Sequence, residues 1–279
     1  MSEVKITAAE INQLRQMTGA GMMDCRKALT ENNGDIEAAI DWLRKKGQKV
    51  AALRGDRDAK EGVVLAKTNE SNTTGITLCL SCETDFVSKN SDFIAFAQSI
   101  IEAAIANDVK SVDELNGIEI AGAKISDLVN DKLASIGEKI GISKFERIEA
   151  PFVSSYIHGA NRMGVLVGLS EAQAEVGKDV AMQIAAMNPV AIDPATVSSE
   201  VVEREKGIIV DLIKNDPKMA GKPDEMISKI ADGKLNSFFK ESTLLAQAFV
   251  KDGGMSVGDY IKSKGKDLSV LSFKRVALG

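Results

Sequence analysis

The stretch Cys82-Glu83-Thr84-Asp85-Phe86-Val87-Ser88-Lys89 lies where the chain is predicted to pass from a β-strand to an α-helix. Before it, residues 75–82 are apolar and rich in the residue types that favour strands. After it, apolar residues recur at helical spacing, and Asp92 stands in the first turn of the expected helix. Residues 84–87 are therefore expected in a turn, with the aromatic side chain of Phe86 at its tip.

Phe86 admits two interpretations. One is that its ring folds back over the core of its own domain. The other is that it anchors a partner protein, because loops on rigid scaffolds often carry binding function. Only 4% of the residues are aromatic, so an aromatic side chain at a turn is informative. The local pattern leaves both interpretations open.

The composition is that of an ordinary globular protein. The chain has 279 residues, 44% hydrophobic and 27% charged, which is enough for two or three domains. No apolar run approaches the roughly 20 residues of a transmembrane helix, and the first residues do not resemble a secretory signal. Three cysteines do not indicate a disulfide framework, so we expect a cytoplasmic protein without membrane contact.

The net charge of −5 argues against direct nucleic-acid binding, because clustered Lys and Arg supply the affinity for phosphate backbones. Basic residues are nevertheless concentrated in residues 44–60. This basic stretch is either a solvated helix end and linker or a contact surface for an acidic partner. Its members are Arg44, Lys45, Lys46, Lys49, Arg54, Arg57 and Lys60.

The pattern of elements predicts an α+β protein of several domains. In residues 1–46 we expect three short helices, the first opened by the capping box Thr7-Ala8-Ala9-Glu10, and together they make a compact bundle. Residues 47–62 are polar and charged without an apolar period, which is typical of a linker. Residues 63–150 then form a first α+β lobe, with a hairpin, helices at 92–106 and 125–136, and a strand at 141–148.

The same order of elements recurs in a second lobe, residues 151–197 and 241–279. Its hairpin is expected at 152–158 and 162–169, a helix at 176–187, and a closing strand at 268–276. The segment starting at Gly75 also resembles the one starting at Gly164. This weak repeat predicts two similar lobes, each with an antiparallel sheet.

Residues 198–240 interrupt the second lobe. Two apolar stripes at helical spacing are joined by a short turn around residues 215–223 that contains Pro217 and Pro223. Two helices joined in this way predict an antiparallel helical hairpin. We expect it to project as a coiled-coil arm, available for self-association or for partner contacts.

Motifs for catalysis and cofactor binding are largely missing from the sequence. Gly19-Ala20-Gly21 is a fragment of a dinucleotide fingerprint without the preceding strand, and no phosphate-binding loop motif occurs. A single histidine, His158, provides no metal pair, and no serine or cysteine lies in a nucleophile-elbow pattern. We therefore expect no enzymatic activity, no cofactor and no metal.

Cys79 and Cys82 have the spacing of redox and zinc motifs. On a strand, however, positions separated by three residues point to opposite faces, so the two thiols are expected to diverge and to be structural. His158 closes a predicted strand just before Gly159. The residues alone leave open whether it is an ordinary hairpin side chain or a functional one.

Two segments resemble signatures of one known family. Thr84-Asp85-Phe86-Val87, followed by Ser88-Lys89, resembles the signature of the elongation factor Ts family. Residues 14–29, which include Gly19-Ala20-Gly21-Met22-Met23, resemble a second signature of that family, in the expected order. Members of this family are the bacterial and organellar factors that release GDP from elongation factor Tu.

The resemblance implies a ubiquitin-associated type of N-terminal bundle and a translation elongation factor that binds the GDP form of elongation factor Tu. It implies that residues 84–87 disturb the Mg²⁺ and phosphate site of this GTPase, so that GDP leaves and GTP can bind. A dimeric assembly of the complex stays open. The residues implied to touch the partner are Thr84, Asp85, Phe86, Val87, His158, Arg15, Met22 and Met23.

Two other functions are consistent with the residues. The chain could be a scaffold without exchange activity, whose bundle binds a ubiquitin-like or nascent-chain partner. It could also be a cytosolic thiol enzyme that uses Cys79 and Cys82. Only an exchange factor would accelerate nucleotide release from a GTPase.

Overall fold

The N-terminal residues form the predicted bundle of three helices. A computed structural model describes residues 6–216 and 223–279 of the chain, without the side chains of residues 51 and 52. Helices α1 (Ala8–Thr18), α2 (Met22–Glu31) and α3 (Ile36–Leu53) pack around a small apolar core. The predicted capping box is confirmed, since Thr7 and Glu10 each accept a hydrogen bond from the backbone N–H of the other.

Helix α3 corrects our prediction of the linker. It does not end near residue 46 but continues to Leu53, so only residues 54–60 connect the bundle to the first lobe. The extension is stabilised by docking, because Val50 packs against the core of the first lobe. Gly47 lies so close to the next domain that a Cβ there would stand 2.6 Å from the Cβ of Ala134. Both contacts depend on distant residues, which a local pattern does not reveal.

The first lobe is an antiparallel sheet covered by helices on one face. Strands β1 (Glu61–Thr68), β2 (Thr74–Cys82) and β5 (Gly141–Glu149) pair in the order β1-β2-β5. Helices α5 (Ser91–Ala106) and α7 (Ile125–Ile136) bury their apolar faces against it, as predicted within one residue. The shorter elements between them are α4 (Asp85–Ser88), α6 (Val112–Gly117), β3 (Glu119–Ile120) and β4 (Ala123–Lys124).

The second lobe repeats this topology. Strands β6 (Phe152–His158), β7 (Met163–Leu169) and β10 (Val270–Ala277) pair in the order β10-β7-β6. In both lobes a hairpin is followed by a long helix, a small hairpin, a second helix and a strand that returns to the second strand of the first hairpin. The remaining elements of the second lobe are α8 (Ala174–Met187), β8 (Ala248–Phe249), β9 (Asp252–Ser256) and α11 (Val257–Lys264). The weak sequence repeat is thus confirmed.

The two sheets pack against each other face to face. β1 lies against β6, β2 against β7 and β5 against β10, with further contacts of β1 with β7, β2 with β6, β2 with β10 and β5 with β7. The interface is apolar, with clusters that combine both sheets. Gly75 and Gly164 permit this close approach, since a Cβ would lie 2.7 Å from a methyl carbon of Val153 or 2.5 Å from the hydroxyl of Thr77, respectively.

The predicted helical hairpin is confirmed by α9 (Ser199–Lys214) and α10 (Asp224–Ser242). The two helices bury Ile209, Ile213, Ile227 and Ala231 between them, in a cluster separate from the cores of the lobes. Most of the predicted turn, residues 217–222, lies outside the described residues. The arm joins the second lobe where Thr243 forms a bridge with Ala191.

Candidate partner-binding site

Residues 85–88 form a single helical turn, α4, at the place where we predicted a turn. Thr84 is extended and precedes α4, and the amides of Ser88 and Lys89 donate to the carbonyls of Thr84 and Asp85. An ion pair between Lys89 Nζ and Asp85 Oδ2, 2.6 Å apart, joins the two ends of the turn. This i,i+4 pair is the local sequence signal that indicates a helix.

Phe86 is the most exposed large apolar side chain among the described residues, with 85% of its surface accessible. The next residue, Val87, packs against the core of the first lobe. The interpretation of Phe86 as part of its own core is therefore wrong. The ring of Phe86 lies on the side of α4 that faces solvent, whereas Val87 lies on the side that faces the first lobe.

Asp85 is half-exposed and carries its charge at the start of α4. The hydrogen bond and the positive charge of Lys89 lower the pKa of its carboxyl group from the ordinary value. At neutral pH the side chain is therefore a carboxylate, already paired within its own chain. A partner cation would have to compete with Lys89 for it.

Two carboxylates fix the base of α4, and sequence reasoning missed both. The Oε2 atom of Glu138 accepts from the backbone N–H groups of Glu83, at 3.1 Å, and Thr84, at 3.0 Å. Its Oε1 accepts from the Thr84 hydroxyl at 2.6 Å. In return, the Oε1 atom of Glu83 accepts from the backbone N–H of Lys139 at 2.6 Å. The two segments therefore hold each other.

The basic connection after α3 joins this cluster. Arg54 Nη1 lies 2.7 Å from Glu83 Oε1, and Arg57 Nη1 lies 3.5 Å from Glu83 Oε2. The Lys139 ammonium donates to the carbonyls of Gly55 and Arg57, at 2.6 Å and 3.0 Å. Arg54 and Arg57 are thus neither merely solvated nor unpaired. The hydrogen bonds from Lys139 and Arg54 also lower the pKa of the Glu83 carboxyl group.

The thiols of Cys79 and Cys82 lie on opposite faces of β2, as predicted. Cys79 faces the other sheet beside Val64, whereas Cys82 belongs to the helix-covered core of the first lobe. Burial raises the pKa of both thiols, and with the nearby carboxylate of Glu138 it raises that of Cys82 to about 12. Such thiols are poor nucleophiles and metal ligands, which argues against a thiol enzyme.

His158 is exposed at the end of β6, where its Nδ1 lies 2.9 Å from the hydroxyl of Tyr156. The following turn lies next to the start of β1, because Arg162 forms an ion pair with Glu61 at 3.3 Å. Glu61 pairs in turn with Cys82, which is the last residue of β2. Helix α4 follows β2 along the chain. His158 therefore belongs to the same end of the paired sheets as α4.

The other predicted contact residues lie on the bundle. Arg15 is exposed on α1, while Met22 and Met23 are 56% and 74% exposed at the start of α2. Exposed methionines on a helix provide an adaptable apolar surface. The structure thus distributes the predicted residues over the bundle, α4 and the end of β6.

Comparisons with known proteins agree with this architecture. A family model described as "Elongation factor TS" matches residues 83–279, and one described as "UBA-like domain" matches residues 8–49. The protein named Elongation factor Ts from Christiangramia forsetii is 49% identical over 278 residues, covering 99% of each chain. The chain belongs to the elongation factor Ts family. It is thereby a translation elongation factor with an N-terminal domain of the UBA-like type.

Further members of the elongation factor Ts family match over the same length. The protein of that name from Amoebophilus asiaticus is 47% identical over 278 residues, 98% of this chain and 99% of the relative. The one from Flavobacterium psychrophilum is 44% identical over 277 residues, with the same coverage.

Within residues 6–216 and 223–279, no group of His, Cys, Asp and Glu could hold a metal ion. No described helix is long and apolar enough to cross a membrane.

Proposed function

We propose that this protein is a guanine-nucleotide exchange factor that binds the GDP form of elongation factor Tu in the cytoplasm and accelerates GDP release. In this role it changes no covalent bond and needs no cofactor. The observation that carries the proposal is the 85% exposure of Phe86 on a helical turn whose base is fixed by Glu83 and Glu138. We call residues 84–87 the exchange loop.

The exchange loop supplies the energy for this reaction by burying Phe86 in the GTPase. Removing roughly 150 Å² of apolar surface from water yields about 4 kcal/mol, at about 25 cal/mol per Å², before ordering costs. This corresponds to a coupling of several hundredfold. The ring enters the GTPase near the Mg²⁺ and phosphate site, and the resulting displacement weakens the grip on GDP.

Exchange is a reciprocal coupling between two sites of the GTPase. The factor lowers the affinity for GDP by the same ratio by which GDP lowers the affinity for the factor. Such an effect requires contacts that differ between the nucleotide-bound and nucleotide-free states. Subsequent GTP binding displaces the factor by the same linkage.

Two further surfaces extend the contact with the partner. Met22 and Met23 on the bundle offer exposed apolar area, and Arg15 offers an exposed positive charge on α1 of the same bundle. His158 lies at the end of the paired sheets where the exchange loop begins. Contacts at separate elements would fix the orientation of the GTPase, so that Phe86 meets one place on its surface.

The test is release of a fluorescent GDP analogue from elongation factor Tu, followed by stopped flow in excess unlabelled GDP. The full-length chain is expected to increase the release rate in proportion to its concentration until saturation. The Phe86→Ala variant serves as the matched control. Release that is unchanged at saturating protein would refute exchange activity.

The exposed methionines favour a second candidate, a scaffold whose bundle binds another protein without exchange. Met17, Met22 and Met23 expose 59%, 56% and 74% of their surface, respectively. In that case the chain would bind elongation factor Tu without any change in GDP release, or would not bind it. The fluorescence experiment, combined with a binding measurement by calorimetry, separates the two candidates.

A further inference from the structure

We propose that Glu138 is a positioning residue for the exchange loop, acting through Thr84 to hold Phe86 in the orientation that the partner requires. This inference rests on the proposed exchange function. Glu138 lies outside the loop and need not touch the GTPase. Its effect is to reduce the number of orientations that α4 samples before binding.

The hydrogen bonds of Glu138 anchor the two residues that directly precede α4. Thr84 occupies the N-cap position of α4, but its side chain caps no amide of the helix. Instead, its hydroxyl donates to Glu138 Oε1 at 2.6 Å, and its amide donates to Glu138 Oε2 at 3.0 Å. A single carboxylate thus binds three donors, including the amide of Glu83, directly before the turn that carries Phe86.

Glu138 itself is held in place. Helix α7 ends at Ile136, and Gly137 adopts a left-handed conformation with φ of 78°. This turns the chain towards the end of β2, where Glu83 accepts the amide of Lys139. Hydrogen bonds in both directions therefore fix residues 83–84 relative to residues 138–139. Arg54 adds a charged contact to the same carboxylate of Glu83.

The exchange loop needs this support because α4 packs against β1 and β2 on its inner side, whereas Phe86 on the outer side is exposed. One helical turn is not stable by itself in water. The Asp85–Lys89 pair is exposed, and such pairs contribute little. Val87 packs against the lobe, but one side chain does not define the direction of its neighbour Phe86. Without Glu138, ordering of the loop would have to accompany binding and would oppose it.

The first experiment compares Glu138→Ala, Glu138→Gln and the control Glu102→Ala in the fluorescent GDP release assay. Glu102 is a carboxylate of the same lobe that pairs with Lys67 at its surface. We expect Glu138→Ala to reduce the accelerated rate about tenfold, because charge-assisted hydrogen bonds are lost. Glu138→Gln keeps one accepting oxygen and should reduce it by less than about threefold. Equal rates for Glu138→Ala and Glu102→Ala would overturn the proposal.

A double-mutant cycle distinguishes positioning from general stability. If Glu138 acts by orienting Phe86, Glu138→Ala should change the release rate by less than about twofold when Phe86→Ala is already present. A further tenfold loss in that background would show that Glu138 acts independently of the ring, which would refute the proposal.

Amide hydrogen exchange of the free protein tests the structural step without the partner. Glu138→Ala should increase exchange in residues 83–88 while β2 and α5 stay protected, and Glu102→Ala should leave residues 83–88 unchanged. Unchanged amide hydrogen exchange in Glu138→Ala would overturn the proposal. If the wild-type chain does not accelerate GDP release from elongation factor Tu, only the exchange function is refuted. If Glu138→Ala does not fold, Thr84→Val removes the hydroxyl donor alone, and unchanged exchange in residues 83–88 would then be the refuting result.

Discussion

Phe86 and Phe93 lie on consecutive helices in opposite environments: Phe86 is 85% exposed on α4, whereas Phe93 is 1% exposed on α5. Phe93 belongs to the core of the first lobe. The two residues have the same chemistry but opposite exposure, so they provide a matched pair for separating partner binding from stability.

Replacing each phenylalanine by alanine should give opposite results. Phe86→Ala should change the free energy of unfolding by less than about 0.5 kcal/mol, because no buried contact is lost. It should reduce accelerated GDP release by well over about tenfold, as expected of an interface anchor. Phe93→Ala should reduce stability by about 3–5 kcal/mol. Thermal midpoints and release rates check both. If Phe86→Ala unfolds as easily as Phe93→Ala and keeps its exchange rate per folded molecule, the anchor assignment is wrong.

Asp85→Ala should have a milder effect on exchange than Phe86→Ala, because a charge at the rim of an interface acts chiefly on association rate and orientation. Its exposed pair with Lys89 should contribute little to stability. Lys89→Ala is the control, since it leaves the carboxylate free for a partner. Association rates measured at low and high salt should depend less on salt in Asp85→Ala than in the wild type. An identical salt dependence would rule out a contact between Asp85 and the GTPase.

Glu83 should make stability dependent on pH. Its pKa is lowered in the folded protein by the amide of Lys139 and by Arg54, so folding favours its charged form. The resulting stabilisation is present above the unfolded pKa of about 4.3 and is lost as pH falls through the lowered folded pKa. Glu83→Gln should therefore flatten the dependence of the denaturant midpoint on pH below about 5. Parallel curves for the two proteins would contradict this.

Removing the arm should leave the lobes folded. Its buried residues form a separate cluster. Lys206 Nζ on α9 lies 3.2 Å from Asp232 Oδ1 on α10, so a short linker can join the two helices near these residues. Replacing residues 206–234 by a short glycine linker should preserve the main thermal unfolding transition. Loss of that transition in calorimetry would show that the arm is required for folding of the lobes.

The three thiols should be unreactive in the native protein. Cys25, Cys79 and Cys82 are buried, and Cys82, with a pKa of about 12, should carry a thiolate in about one molecule in ten thousand at pH 8. Labelling by a disulfide reagent should follow the rate of unfolding, and in guanidinium chloride all three should react. Rapid labelling of the native protein would disprove this.

The sequence predicted the elements with strong periodicity and missed those that depend on distant contacts. Helices α5 and α7 and the strands of both sheets were found because their apolar spacing is local. The last seven residues of α3, 47–53, were missed, since this end of the helix is stabilised by contacts of Gly47 and Val50 with the first lobe. The two-residue strands β3 and β4 are too short to show any period.

The candidate site was predicted in part for the same reason. Phe86 stands out locally as an aromatic residue in a predicted turn, although the turn is the helix α4. Glu138 carries no comparable signal, because its role depends on its hydrogen bonds with Glu83 and Thr84. The contact of Arg54 with Glu83 also joins separate domains. Sequence reasoning thus located the exposed side chain but not the residues that hold its helix.

The packing of the two sheets indicates how the chain arose. Equivalent strands meet each other, β1 with β6, β2 with β7 and β5 with β10, and the contacts of β1 with β7 and of β2 with β10 have their counterparts in those of β2 with β6 and of β5 with β7. This is the pattern of an isologous interface around a twofold axis. A single ancestral unit would have left one face of its sheet uncovered, so it would have needed a second copy of itself. The pattern is the one that duplication and fusion of the gene of a homodimer would produce, and the arm interrupts the second lobe alone.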